Sequence, residues 1–210
     1  KEFPGGSVGI ASAKSSKQAR MRSVQRLFCD EIDGWDLEAG KDGDPFSLYL
    51  SRTEGYESVR QIIITSTPAR KETSRIEPLF LAGTQEQWHL PCPSCGAYQI
   101  IQFNDQLDFE TCLYACRHCG CQHAQHEWNA GEGRHIAANP EAPHRSFKIN
   151  GMNSPFRRWQ SIVAQFREAN EARKAGDLSK YIVFTNNVLA ETWEEKGEAL
   201  EADQFARHCH

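Results

Sequence analysis

The chain contains no apolar run near the roughly 18 residues that a membrane-spanning helix needs, and its amino terminus has no signal-peptide hydrophobic segment. A membrane or secretory role is therefore not expected. Charge of one sign is also missing: 24 basic against 28 acidic residues give a net charge of -4 over 210 residues, which excludes a generally polycationic nucleic-acid binder while leaving local patches open. There is no internal repeat and no low-complexity tract. With 39% hydrophobic residues the chain can bury a core, and its length suits one domain with an insertion or two small ones. It opens on Lys1 rather than Met and reaches Gly5-Gly6 almost at once, so a fragment whose start is missing is expected.

What is present is unevenly distributed. Nine acids fall between Phe28 and Glu57 (Asp30, Glu31, Asp33, Asp36, Glu38, Asp42, Asp44, Glu54, Glu57), against Lys41 and Arg52. Five bases and no acid fall between Lys14 and Arg26. The run Leu27-Phe28-Cys29-Asp30-Glu31 is a short apolar segment that, as a buried strand, delivers two carboxylates at its carboxyl end, where open α/β sheets bind ligands. In phosphoryl-transfer sites the first such acid can hold Mg²⁺ and the second can orient the attacking water; alone, the pair also reads as a strand running into an acidic loop. A second strand, Gln61 to Thr65, ends on Thr65-Ser66-Thr67. Hydroxyls there serve as an ordinary turn or cap, or as a sensor of a γ-phosphate that transmits hydrolysis to a moving element. The two features together favour a nucleotide hydrolase. Arg20, Arg22 and Arg26 read either as phosphate contacts or as a solvated face.

Eight cysteines could form a secreted disulfide framework, but Cys92-x-x-Cys95 and Cys116-x-x-Cys119, 20 residues apart, favour a metal and a reducing compartment. Four thiolates close a tetrahedral Zn²⁺ site with no open position, so the expected role is structural, with metal binding of order ~10 kcal/mol holding together a segment too small to fold alone. His118, Cys121, His123 and Cys112 are near enough to substitute as ligands. Cys112 reads more simply as a buried or surface thiol, Cys29 as a core residue and Cys209 as an exposed tail thiol.

Along the chain, Pro4 to Ser7 reads as a turn, Val8 to Ala11 as a short buried strand and Ser15 to Ser23 as a basic helix or loop. Val24 to Cys29 reads as a strand and Pro45 to Gly55 as a helix. Continuous apolar runs of this kind argue for parallel strands covered on both faces. A Cys/His/Gly-rich module runs from Gln87 to about His126, and Ser146 to Asn150 reads as a strand. Trp159, Ile162, Val163 and Phe166 mark a helix that ends before Gly176. A second helix, Leu178 to Ala190, turns Tyr181, Ile182, Thr185, Val188 and Leu189 inward. From Pro143 to Gln160, Arg145, Lys148, Arg157 and Arg158 alternate with Phe147, Phe156 and Trp159 without an acid, a pattern that suits either a nucleic-acid backbone or core aromatics. The tail Glu191 to Asp203, with six acids and one Lys, reads as a linker.

These segments resemble, in order, the large terminase subunit of lambda-type tailed bacteriophages. The likeness rests on Pro4-Gly5-Gly6-Ser7 with Ala11-Ser12-Ala13-Lys14-Ser15, Cys29-Asp30-Glu31-Ile32-Asp33, Ile64-Thr65-Ser66-Thr67-Pro68 and Cys92-Pro93-Ser94-Cys95-Gly96. It continues through Tyr114 to Gly120, Asn153-Ser154-Pro155-Phe156-Arg157-Arg158-Trp159 and Leu189 to Glu194. The resemblance implies a partial P-loop NTPase, RecA/ASCE-like α/β fold with a parallel sheet and an inserted zinc-ribbon module. It implies Asp30 as the Walker B metal acid, Glu31 as the catalytic glutamate, Thr65, Ser66 and Thr67 as the coupling motif, and ATP, Mg²⁺ and Zn²⁺ as cofactors, the last on Cys92, Cys95, Cys116 and Cys119. Expected partners are double-stranded DNA, a small terminase subunit, a portal protein and further copies in a ring, in the host bacterial cytoplasm.

The corresponding division is residues 1–86 as the later ATPase core, 87–126 as the zinc ribbon, 127–190 as the mainly helical remainder and 191–210 as a linker toward an absent nuclease domain. No G-x-x-x-x-G-K-[ST] run occurs, so the phosphate-cradling loop is expected upstream of Lys1 and the fragment is expected neither to hydrolyse ATP appreciably nor to cut DNA alone. Two other readings compete. Asp30-Glu31-Ile32-Asp33 also fits a DExD helicase motif, which a second RecA-like half would support and a nuclease domain would oppose. A non-catalytic zinc-ribbon module that binds nucleic acid or protein is the other.

Overall fold

A computed structural model describes residues 1–38 and 43–194. Asp42 and Lys41 of the acidic stretch, Cys209 and the tail beyond residue 194 lie outside the described residues. The chain is mixed α/β and divides into two compact units, Lys1–Thr67 and Pro68 onward.

In the first unit, β1 (Glu2–Phe3) and β2 (Gly6–Ser7) form a small hairpin whose turn uses Gly5 at φ 89°, a left-handed conformation that glycine adopts without cost. The expected buried strand at Val8 to Ala11 is not there: these residues are exposed and irregular, with Ile10 99% exposed. Four apolar or small residues make a strand only along a ladder of partners, and here the ladder stops at Val8, whose N–H donates to the Lys1 carbonyl at 2.8 Å and whose carbonyl accepts from the Lys1 amino group at 2.7 Å. A short helix, α1 (Ser16–Ala19), follows, capped by Ser15 Oγ accepting from the Gln18 N–H.

The strand carrying the acidic pair, β3 (Arg26–Cys29), runs parallel to β4 (Gln61–Ile64) in the register Arg26↔Gln61 to Cys29↔Ile64. Parallel strands need a crossover, and here it contains α2 (Pro45–Ser51). That helix starts where Asp44 accepts from the Phe46 and Ser47 N–H groups, with Pro45 in the first turn where its missing N–H costs nothing. Burial alternates along β3: Leu27 and Cys29 are buried, while Phe28 is 69% exposed and its neighbour Ile63 is 49% exposed. The expectation of cover on both faces is therefore corrected. The apolar run continues because β-branched and aromatic residues suit extended backbone, not because both faces are packed.

The second unit is built on β5 (Glu86–Pro91), which follows α3 (Ile76–Ala82). Antiparallel partners of β5 are β6 (Tyr98–Ile100) and β9 (Arg134–Ile136), and β10 (Phe147–Lys148) joins it in parallel. A separate hairpin of β7 (Tyr114–Ala115) and β8 (Gln122–His123) carries the second cysteine pair and leads into α4 (Gln125–Asn129). The strands described thus form four small sheets rather than one continuous parallel sheet.

The long helix α5 (Trp159–Lys174) ends as expected, with Ala175 at its cap and Gly176 at φ 91°. The next helix, α6 (Ser179–Phe184), passes into a π-helical turn over Thr185–Leu189. Phe184, Thr185 and Val188 are buried, whereas Tyr181, Ile182 and Leu189 are half-buried. The rings of Phe103, Phe109, Phe166 and Phe184 pack at 4.9 to 5.5 Å, and Tyr114 sits between Trp128 and Trp159 at 5.9 and 5.7 Å. Each such pair adds about 0.5–1.5 kcal/mol beyond area burial. Cys92 and Cys116 belong to the same buried cluster, so the cysteine-rich segment and the helical segment share one core.

Candidate functional site

In the first unit the two strand tips meet. Parallel pairing of Cys29 with Ile64 puts residues 30–31 beside residues 65–67, and hydrogen bonds lock them there. The Thr65 hydroxyl donates to Asp30 Oδ1 at 2.5 Å. The Thr67 N–H donates to Glu31 Oε2 at 3.0 Å, with the Thr67 hydroxyl 3.4 Å from Oε1. Ser66 Oγ accepts from the Asp33 N–H at 3.0 Å, and the Thr65 carbonyl accepts from the Ile32 N–H at 3.3 Å. All five expected residues therefore lie in one cluster, with both carboxylates exposed at the rim.

Glu31 takes up φ 52° and ψ 50°, left-handed backbone that costs a non-glycine residue about 1–2 kcal/mol. The turn sends the chain into the 3-10 turn Ile32–Gly34 and swings the Glu31 carboxylate onto the Thr67 amide instead of along the strand axis. A sequence has no direct signal for that strain. Beneath the tips, burial raises the Cys29 thiol to about 11, which keeps it a neutral core residue, as expected. One side chain that the sequence did not mark out, Trp35, braces the site. Trp35 Nε1–H donates to the Asp30 carbonyl at 2.9 Å, and its ring meets Phe46 and Tyr49 of α2 edge-on at 6.3 and 5.8 Å. Arg20, Arg22 and Arg26 are exposed.

In the second unit Cys92, Cys95, Cys116 and Cys119 bring their sulfurs within 4.8 Å of one another. The Cys92–Cys119 and Cys95–Cys116 sulfurs are each 3.8 Å apart. A tetrahedron with thiolate arms of about 2.3 Å has edges of about 3.8 Å, so the four donors fit a closed tetrahedral ion. Gly96 and Gly120 follow the two pairs at φ 72° and 73°, and their N–H groups donate back to the Cys92 and Cys116 carbonyls at 2.9 Å, closing the two knuckles. The His118 N–H points at Cys116 Sγ, 3.3 Å away. Burial pushes the Cys92 thiol up, but N–H groups of Cys95 and Ser94 outweigh it and bring the thiol down to about 7.

The four-sulfur group does not include the nearby candidate ligands. His123 bonds Ser94 Oγ at 2.8 Å and lies 3.5 Å from Glu127, Cys121 is exposed, and Cys112 is buried away from the cluster. Of the basic and aromatic stretch from residue 143, Trp159 is wholly buried, whereas Phe147 is 50% and Phe156 97% exposed. Arg145 forms a two-pronged ion pair with the buried Glu86, at 2.8 and 2.7 Å. That hydrogen-bonded guanidinium draws the Glu86 carboxyl down to about 2 against the opposing pull of desolvation.

Residues 1–137 match the family model for the ATPase domain of the phage terminase large subunit gpA, and residues 144–210 match the model for the endonuclease domain of the same subunit. The chain belongs to the phage terminase large subunit gpA family. It is 28% identical over 228 aligned positions to a terminase large subunit of Enterobacteria phage P21, and 28% identical over 232 to that of Escherichia phage lambda. Each alignment covers 92% of this chain and 34% of the relative, so the chain spans about a third of the length of the curated relatives it matches. No solved structure matches it. An adjoining endonuclease match is the feature that separates a terminase from a helicase, and it falls on the terminase side.

Proposed function

We propose that this chain is part of an ATP-driven motor that packages viral double-stranded DNA into procapsids, in a subunit that also cuts DNA. The observation that supports this most directly is the hydrogen-bonded meeting of Asp30 and Glu31 with Thr65, Ser66 and Thr67. In this reading the first unit belongs to a P-loop, RecA-like ATPase. Asp30 is the Walker B acid that holds Mg²⁺ with ATP, the metal supplying charge neutralisation on the phosphates. Glu31, already an acceptor from the Thr67 amide and hydroxyl, orients the attacking water. Any change in the hydrogen bonding of either carboxylate is felt by Thr65 or Thr67, so the hydroxyl-bearing tip couples the site to β4 and the chain beyond it.

The four cysteines hold Zn²⁺ as a structural zinc ribbon, clamping a segment that contributes Cys92 and Cys116 to the core of the second unit. By likeness to the family, the partners are double-stranded DNA, the small terminase subunit, the portal protein and further copies in a ring, and the setting is the host bacterial cytoplasm. Among the described residues no helix is long and apolar enough to cross a membrane.

The test uses the intact subunit. Asp30→Ala and Glu31→Gln should each abolish ATP-driven DNA translocation, by about 10³-fold or more for a group acting directly on the transferring phosphoryl, while zinc content stays at the wild-type level. Normal translocation in both variants would overturn the assignment. The 210-residue chain, which has no G-x-x-x-x-G-K-[ST] run, should show no ATP turnover.

A further inference from the structure

The segment from Asn153 to Trp159 is fixed at both ends yet presents its middle to solvent. The Gln125 side chain, from α4, donates to the carbonyls of Ser154 at 3.5 Å and Arg157 at 2.7 Å, and accepts from the Trp159 N–H at 2.9 Å. Trp159 is wholly buried and its indole N–H donates to the Met152 carbonyl at 2.9 Å. Ser154 Oγ accepts from the Phe156 N–H at 3.3 Å. On this braced loop Phe156 is 97% exposed, the opposite of what burial of a phenyl ring favours. Beside it opens a cavity of about 490 Å³. Phe156, Arg157 and Arg158 line one part of it and Gln125, His126 and Asn129 another, and no carboxylate is among its lining residues.

We propose that this loop and cavity form a nucleic-acid contact surface, with Arg157 and Arg158 on backbone phosphates and Phe156 packed against a sugar or base. The chemistry of the wall selects the occupant. Arginine, amide and imidazole donors without a competing acid suit a polyanion, and a lone ring rising among them suits stacking on a nucleotide. A protein knob would instead want several neighbouring large apolar side chains, and beside Phe156 the apolar lining is Leu113 and Pro155 with the small Ala124 and Cys112. The inference rests on the packaging reading and deepens it by naming a place on the second unit where DNA is held, apart from the strand tips.

The experiment is fluorescence anisotropy of a labelled duplex of about 20 base pairs, titrated with the zinc-loaded 210-residue chain across roughly 50 to 200 mM salt. Phe156→Ala should weaken binding about tenfold with an unchanged salt slope. Arg158→Ala should lower the slope by about one, and Arg158→Lys should restore it. Phe156 and Arg158 are exposed, so melting temperature and zinc content should match wild type and report intact folding. Wild-type binding by both alanine variants overturns the proposal, as does a chain that binds no duplex. Competition by polyglutamate as effective as by unlabelled duplex of equal charge also overturns it, in favour of an acidic peptide. Asp30→Ala should leave this binding untouched, so a failure of the surface and a failure of the ATPase reading register in different variants.

Discussion

The two units solve the same problem, holding chemistry-bearing side chains in place, by different means. In the first, Asp30 and Glu31 are exposed and are held by hydrogen bonds from the neighbouring tip, over a single parallel pair whose outer face leaves Phe28 and Ile63 in solvent. In the second, Cys92 and Cys116 are anchored by burial in the same cluster as Trp128, Trp159 and Phe166. Hydrogen bonds on exposed tips contribute about 1 kcal/mol each and can exchange with water or a ligand, whereas a buried aromatic cannot be displaced without opening a cavity. A site that must respond to its ligand suits the first arrangement, and a permanent clasp suits the second.

That contrast can be broken most severely at the sulfurs. If the proposed structural Zn²⁺ is held there, Cys116→Ser, or treatment with a chelator, should abolish zinc binding and unfold the second unit, since such an ion contributes of order ~10 kcal/mol; metal analysis with far-ultraviolet circular dichroism checks it. A variant with native dichroism and no zinc would show that the aromatic core suffices alone. A matched pair of substitutions gives the next largest effect. Phe166→Ala should destabilise the second unit by about 3–5 kcal/mol, whereas Thr65→Val, which removes only the hydroxyl bonded to Asp30, should cost about 1 kcal/mol. Urea unfolding followed by amide exchange in each unit would measure both, and equal losses would erase the distinction.

The smallest effect lies in the Glu86–Arg145 pair, because Arg145 is 69% exposed and the pair is partly screened. Folding lowers the Glu86 carboxyl from 4.5 to about 2, so the pair stabilises the native state above pH 4.5 and loses that contribution as pH falls toward 2. Glu86→Gln should flatten the stability curve in that window and leave its shape near pH 7 unchanged. An unchanged acid limb would show that other carboxylates carry the acid response.

Much of this was legible because local chemistry forced it. The spacing of the two cysteine pairs and their trailing glycines left few alternatives to a four-sulfur cluster, and the positions of Trp159, Ile162, Val163, Phe166 and Gly176 marked both the buried face and the end of α5. The acidic pair and the Thr-Ser-Thr run were readable as strand ends because β3 and β4 are short and stop abruptly. Val8 to Ala11 misled because its pattern suits a strand, while strands exist only where something pairs with them. The sheet around β5, pairing residues up to 61 apart, had no local signature. Nor did the π-helical turn after Phe184, or the Gln125 clamp beneath an exposed Phe156.

By itself, the order of residues determined the donor types, their spacing along the chain and the ends of the main helices, because those follow from covalent distance and backbone preference. The meeting of Glu31 with Thr67, the 3.8 Å sulfur separations and the exposure of Phe156 were decided only in three dimensions. Each depends on which distant segments pack together, and packing is settled by the burial of the whole chain rather than by any one stretch of it.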